Sequence, residues 1–323
     1  MMSKIDLGWG EPFCVRDVLK KHYKKNFKIN IDKLSYAEDY GNQDLIELTR
    51  EFLKQSTGID YKYIIITNGT TSAINIVLRT MKKAGKVNCY TNEYYFPYYP
   101  DIVYKNGLNQ VKKLESTCNL VLNKRENLTL LDSPSNPFGK FSTYNIDNVI
   151  WDSVYHNDVY LNEHVVVPNH IVNCGSYSKF LGLTGARIGW IATNDKNQYN
   201  KYCYDSLYEN CTISNISQLY LLDVMSTISW YYFSKDSKEL INNNRNELNR
   251  ISYLFNNQVV PKNGMFYCVW ADKKSYNIVN KANVKFIKID EENDKHLIRF
   301  NLAQKNDLTK KAVNAIIKVD DSN

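Results

Sequence analysis

The sequence predicts an α/β protein, with a large domain built on a central sheet and a smaller α+β domain beside it. Three observations carry that prediction. Short apolar runs alternate with helical patterns through the middle of the chain, as in a sheet covered by helices on both faces. Those runs are rich in Val, Ile and Leu, as strands buried on both faces should be. Beyond about Ser206 the pattern turns helical, and strand-like runs return only near the C-terminus.

The elements follow in order. The first thirty or so residues are short of strand signals and are expected to lie against the smaller region. Tyr63-Ile-Ile-Ile-Thr67 reads as a buried strand that ends at Asn68-Gly69-Thr70-Thr71. A helix follows at once, because Ile74, Val77, Leu78 and Met81 recur at i, i+3, i+4 and i+7 and make one apolar stripe. Gly85 stops that helix. Further strands are expected at 87–90, 128–132, 149–154, 170–174 and 188–193. The smaller region should hold strands at 265–270, 284–289 and 297–302 and close on a helix near 308–317. The division that results is a large domain at 36–230 and a small domain formed by 1–35 with 231–323.

Length and composition narrow the function classes. A chain of 323 residues suits one large and one small domain. Its formal charge of +7 is spread over separated lysines. Pairs such as Lys20-Lys21 and Lys24-Lys25 read as solvated helix faces rather than a nucleic-acid footprint. The seven cysteines include no CxxC pair, so reduced thiols and a cytoplasmic location are expected. The first residues carry no apolar run of signal-peptide length, and no run reaches the length of a membrane span. The five histidines show no metal-ligand spacing and no metal is expected. Neither a GxGxxG nor a P-loop is present.

The most informative stretch runs from Asn173 to Trp190 and contains Ser176-Tyr-Ser178-Lys179, Gly182, Gly185 and Arg187-Ile-Gly189. A lysine acts as a Schiff-base nucleophile only through its neutral form, which a partly desolvated site with nearby positive charge provides. The serines and Arg187 can hold a phosphate beside it. A lone Ser-x-Ser-Lys fragment reads equally well as a polar loop. Arg187-x-Gly189, eight residues further on, sets this one apart. The whole pattern resembles the cofactor-lysine signature of class I/II aminotransferases, the fold-type I enzymes dependent on pyridoxal 5'-phosphate (PLP), and the similarity can be traced from Leu7 to Leu302. It implies a mostly parallel seven-stranded sheet, a homodimer, and PLP bound to Lys179 as a Schiff base.

The remaining motifs have physical sense of their own, and the resemblance adds roles to them. Gly69-Thr70-Thr71 joins a strand to a helix, where free N–H groups and the helix dipole suit a phosphate; the family's loop cups the PLP phosphate there. Glu93-Tyr-Tyr-Phe-Pro-Tyr-Tyr-Pro100 is an aromatic cluster from which Phe96, or alternatively Tyr95, would stack on the ring. Ser133-Pro-Ser-Asn136-Pro-Phe-Gly139 resembles the family's S-P-x-N-P-x-G segment, with Asn136 donating to the phenolic oxygen of PLP and bordering the substrate. Asp152 and Tyr155 match the carboxylate that keeps the pyridine nitrogen protonated and the tyrosine on the phenolic oxygen. Arg299 lies amid apolar residues, which is costly unless it meets an anion, and the resemblance implies a clamp on the substrate carboxylate. Leu7-Gly-Trp9-Gly10-Glu-Pro12 matches an element that approaches the substrate. Tyr36 resembles the tyrosine that reaches the phosphate of a neighbouring subunit, and Tyr40 competes for that role.

The implied activity is amino transfer between an amino acid and a 2-keto acid. The aromatic run and the spacing Ser178-Lys179-x-x-Gly182-x-x-Gly185 also resemble the alliinase and tryptophan-aminotransferase branch, so a carbon–sulfur lyase is the main alternative. A PLP-retaining regulator is a third reading. Regulators of this fold carry an added DNA-binding domain, for which the residues before Leu7 leave no room.

Overall fold

The computed structural model describes residues 4–113, 126–141, 148–162, 167–258, 260 and 262–322. Cys118 and His164 lie outside them.

The chain enters through the two-residue strand β1 (Ile5–Asp6) and helix α1 (Phe13–His22), which buries Cys14, Val15, Val18 and Leu19. Helix α2 (Gln43–Thr57) starts at an Asn42 side-chain cap and ends on Gly58 in the left-handed region. The large sheet then begins: β2 (Tyr63–Thr67), α3 (Thr70–Lys83), β3 (Asn88–Thr91), α4 (Tyr99–Lys105), β4 (Asn109–Lys113), β5 (Asn127–Asp132), β6 (Val149–Asp152), β7 (Val172–Ser176), the single turn α5 (Tyr177–Phe180) and β8 (Gly189–Thr193). Three helices follow, α6 (Lys196–Asn210), α7 (Asn215–Thr227) and α8 (Trp230–Asn249). The chain closes with β9 (Phe266–Asp272), α9 (Lys273–Lys281), β10 (Val284–Lys285), β11 (Ile287–Glu292), β12 (Lys295–Asn301) and α10 (Asn306–Asp320).

The large sheet has seven strands in the order β2-β8-β7-β6-β5-β3-β4. Its pairs are parallel except that β8 runs antiparallel to both β2 and β7. The fold is therefore the expected mixed, mostly parallel sheet. Beside it stands the three-stranded antiparallel sheet β11-β12-β9, and β1 pairs with β10. Apolar clusters cover both faces of the large sheet. Ile65 packs with Ile74, Val77 and Leu130 on one face, and Ile64 and Ile66 pack with Phe52 and Trp190 on the other. The side-chain alternation of β2 is thus intact, and because both of its faces are buried the strand reads as an unbroken apolar run. The second cluster continues without a break to Val269, Ile298 and Phe300 of the small sheet.

Several boundaries differ from the sequence reading. The run 149–154 stops at Asp152, whose Oδ1 turns back to accept the Val154 N–H at 3.0 Å. The run 170–174 starts at Val172 and continues to Ser176, because Ser176 still pairs with Gly189. The run 284–289 divides between β10 and β11, since β1 captures the first part. The helical region begins at Lys196, under an Asp195 cap, rather than near Ser206. Among the described residues no helix is long and apolar enough to cross a membrane, and no group of three His, Cys, Asp or Glu could hold a metal ion.

Candidate active site

The carboxyl ends of β2, β5, β6 and β7 lie along one edge of the large sheet. A cavity of about 530 Å3 opens there, against β12 and residues 8–11. Open α/β sheets bind ligands outside the carboxyl ends of their strands, and this volume suits a small molecule.

Lys179 sits on α5, so the end of β7 delivers it to the cavity. Its Nζ donates to the Gly10 carbonyl oxygen at 2.6 Å, and the Tyr160 hydroxyl donates to the Lys179 carbonyl oxygen at 2.9 Å. Burial, helped by the positive charges of Arg299 and Arg187, lowers its pKa to about 8. Dehydration and like charge both favour the neutral amine, the form a nucleophile or base requires.

Asp152 closes β6, where its Oδ2 accepts from the Tyr99 hydroxyl at 2.7 Å. Burial pushes its carboxyl up to about 6, against the lowering effect of the bonds from Tyr99 and the Val154 N–H. Tyr155 is buried beside it; burial raises its phenol, while the charge of Arg299 opposes that rise.

Arg299 lies on β12 and is 8% exposed. Its Nη1 donates to Asn136 Oδ1 at 2.9 Å, its guanidinium lies 4.0 Å from the centroid of the Phe266 ring, and its Nε has no partner. A buried guanidinium with an unused N–H offers half of a fork to a carboxylate. Asn136 is fixed in turn by its own N–H, which donates to Asp132 Oδ2 at 2.9 Å. With its Oδ1 taken by Arg299, the Asn136 amide has only Nδ2 left to offer a ligand.

At the start of α3, Gly69 has φ +82°, and a Cβ there would lie 2.6 Å from Arg187 Nη2. The positive φ favours glycine, and a Cβ would push the arginine's tip aside. Arg187 donates from Nη1 to the Thr184 carbonyl oxygen at 3.0 Å. Thr70 Oγ1 is buried without a partner, and Thr71, Ser176 and Ser178 line the same cavity. An orphaned hydroxyl, a helix N-terminus and an arginine suit a phosphate dianion. Together with the buried Asp152 and the lysine, these residues fit PLP.

Phe96 lines the cavity. Tyr95 does not; its ring stacks on Tyr99 at 6.2 Å. Trp9, 63% exposed, and Gly10 stand at the mouth, with the N–H groups of Gly8 and Trp9 held by Asp6 Oδ1. Tyr36 is not brought to this cavity. It is 86% exposed and borders a separate depression with residues 212–216, and Tyr40 packs on Tyr199. Four residues of the site escaped the sequence reading: Tyr99, Asp132, Tyr160 and Phe266. Asp132 gave a signal as a carboxylate closing an apolar strand just before Ser133-Pro134, and Tyr99 as a member of the aromatic cluster 93–100.

The family model described as Allinase matches residues 10–305. No curated protein matches in sequence. Among solved structures, a Thermus thermophilus aspartate aminotransferase double mutant superposes with a TM-score of 0.78 at 17% identity, covering 98% of this chain and 92% of that one. An aromatic aminotransferase from Pyrococcus horikoshii gives 0.77 at 16% identity, with coverage of 100% and 97%. A Methanococcus jannaschii protein, described as similar in its active site to kynurenine aminotransferases, gives 0.79 at 20% identity, with coverage of 98% and 91%. At these identities the likeness establishes the fold, which is that of fold-type I enzymes.

Proposed function

The chain belongs to the allinase family, and from that premise we propose that it is a PLP-dependent aminotransferase, moving an amino group between an amino acid and a 2-keto acid with Lys179 as the attachment point. Membership of this family implies PLP. The observation that carries the reading is a single cavity in which a buried lysine of lowered pKa faces a buried arginine with an unused N–H. PLP, when bound, supplies an aldehyde for amines and a ring that accepts electrons.

The chain's own residues do the rest. Arg299 grips the α-carboxylate of the amino acid through Nε and Nη2, while Nη1 stays on Asn136. Lys179 would hold the cofactor and, when its amine is free, would take the α-proton of the amino acid as a general base. Asp152, ionised above about pH 6, keeps a proton on the ring nitrogen. Tyr155 and the Asn136 amide would serve the phenolic oxygen, and Thr70, Thr71, Ser176, Ser178 and Arg187 would hold the phosphate, with Gly69 beside that arginine. Phe96 would stack on the ring, and Trp9 and Gly10 would border the substrate. In a homodimer, Tyr36 would reach the cavity of a second copy.

An amino-donor screen with and without a 2-keto acid tests the reaction. With the amino donor alone bound PLP should end as pyridoxamine phosphate, turnover should need the 2-keto acid, and both should be lost in Lys179→Ala together with the visible absorbance of the lysine-bound cofactor. If that variant keeps both, the assignment fails. The family match supports a second reading, a carbon–sulfur lyase. It would release pyruvate and ammonia from a cysteine conjugate with no keto acid present.

A further inference from the structure

We propose that Asp132 and Asp152 work as one carboxyl pair that carries a single proton between them, which makes Asp132 a positioning residue for the charge that faces the ring nitrogen. This rests on the reading of the cavity as a PLP site. The two residues end adjacent parallel strands and are register partners, so their side chains leave the sheet side by side, on strands ~4.8 Å apart. Both line the cavity, and they are only 1% and 6% exposed.

The donors around them are all neutral. Asp132 Oδ2 accepts from the Asn136 N–H and its Oδ1 from the Asn92 amide, both at 2.9 Å. Asp152 Oδ2 accepts from the Tyr99 hydroxyl and its Oδ1 from the Val154 N–H. Among the described residues no cation makes an ion pair with either carboxylate. The other titratable groups facing them are Tyr99 on α4, Tyr155 after β6 and Cys174 on β7. The cavity's cations act elsewhere: Arg299 on Asn136, Arg187 on the Thr184 carbonyl, and Lys179 on Gly10.

Two neighbouring carboxylates this deeply buried, with no cation, do not both ionise at neutral pH. Burial raises Asp132 to about 7, and the charge of Asp152 adds to that rise. One negative charge rather than two then faces a ring nitrogen. When the pair gives up its shared proton at higher pH a second charge is added, so a proton on that nitrogen persists to higher pH than a lone aspartate would allow.

The test starts with cofactor-free protein. Thermal midpoints of wild type, Asp132→Asn, Asp152→Asn and the double variant are measured from pH 5 to pH 9. The native pair keeps protons that unfolded carboxyls, with pKa ~4, have released. Wild-type stability therefore falls as pH rises through the pair's range. Each single substitution should raise the midpoint relative to wild type more at pH 9 than at pH 5. In the double variant those pH-dependent gains should fall short of their sum. Fully additive gains, or gains independent of pH, overturn the pair. Should Asp132→Asn fail to fold, a pH-independent difference between Asp152→Asn and wild type overturns it equally. With PLP labelled with 15N at the ring nitrogen added, Asp132→Asn should lower by a unit or more the pH at which that nitrogen's NMR shift loses its protonated value. A residue that merely supports the loop would reduce occupancy without moving that pH. A titrating pair in protein that takes up no PLP would overturn the ring role through failure of the proposed function. Additive gains in protein that does take it up would overturn the pair alone.

Discussion

At the residue scale, the chemistry turns on Lys179 and Arg299. The lysine's amine is held at about 8, so its neutral fraction grows about tenfold per pH unit below that value and then levels. Capture of PLP by cofactor-free protein should therefore quicken from pH 6 to pH 8 and flatten near 8, followed by visible absorbance in a stopped-flow instrument. A rise that continues toward pH 10 would mean the lysine behaves as a solvated one. Arg299→Ala should raise the KM for the amino acid by ~10–150-fold, the equivalent of about 1.5–3 kcal/mol for a hydrogen-bonded charge. Arg299→Lys should recover only part of that, because it keeps the charge and loses the fork. An unchanged KM would remove the clamp. Lys179, Asp152, Asn136, Arg187 and Arg299 could be picked out because their spacing resembles a family signature. Arg299 alone also stood out as a charge set among apolar residues, and the structure brings all five to one cavity. Tyr99 and Phe266 could not be picked out this way. An aromatic in a row of aromatics gives the same signal whether it packs or donates. Which ring lies under Arg299 depends on the pairing of β9 with β12. Tyr36 illustrates a different limit, since nothing in its own chain shows what a second copy would bring to it.

At the scale of elements, the site depends on strand ends that pass close to one another. Gly189, the first residue of β8, has no room for a side chain. A Cβ would lie 2.5 Å from the Gly175 carbonyl oxygen and 2.7 Å from the Gly69 carbonyl carbon, both backbone atoms. Gly139, with φ +64°, would place a Cβ 2.0 Å from the Asn263 carbonyl oxygen. Gly189→Ala and Gly139→Ala should each cost about 2 kcal/mol or more in chemical denaturation, since backbone cannot step aside. Gly185→Ala makes the control. Nothing lies within 4 Å and its φ is unexceptional, so it should be neutral or stabilising by about 0.4–1 kcal/mol. The strand cores were legible because burial on both faces leaves unbroken apolar runs. Their ends were not, because they are set by partners such as Gly189 for Ser176, which no local pattern encodes. The strand β1 is two residues long, too short for any alternation to register. Helix α6 escaped at its start because its tyrosines and asparagines blur the apolar stripe.

At the scale of the whole molecule, the alternation of strands and helices made the large sheet legible, while the order of its strands came only with the structure. Its apolar core continues into the small sheet. Exposed Tyr36 and Ile216 share one surface depression, and the proposed homodimer should appear as twice the chain mass in sedimentation. Tyr36→Phe should then weaken PLP binding by about fivefold, roughly 1 kcal/mol for one hydrogen bond, and a purely monomeric protein with full PLP affinity would exclude that role. A chain of hydrogen bonds also joins the two sheets. Asn301, two residues past Arg299 on β12, donates to the carbonyl oxygens of both Trp9 and Glu11, and Gly10 between them anchors the ammonium of Lys179. The strand that would grip a substrate and the amine that would react with it are thus wired in series, like a trigger and its sear. Asn301→Ala, though it touches neither ligand nor lysine, should loosen that linkage and shift the pH dependence of the lysine itself.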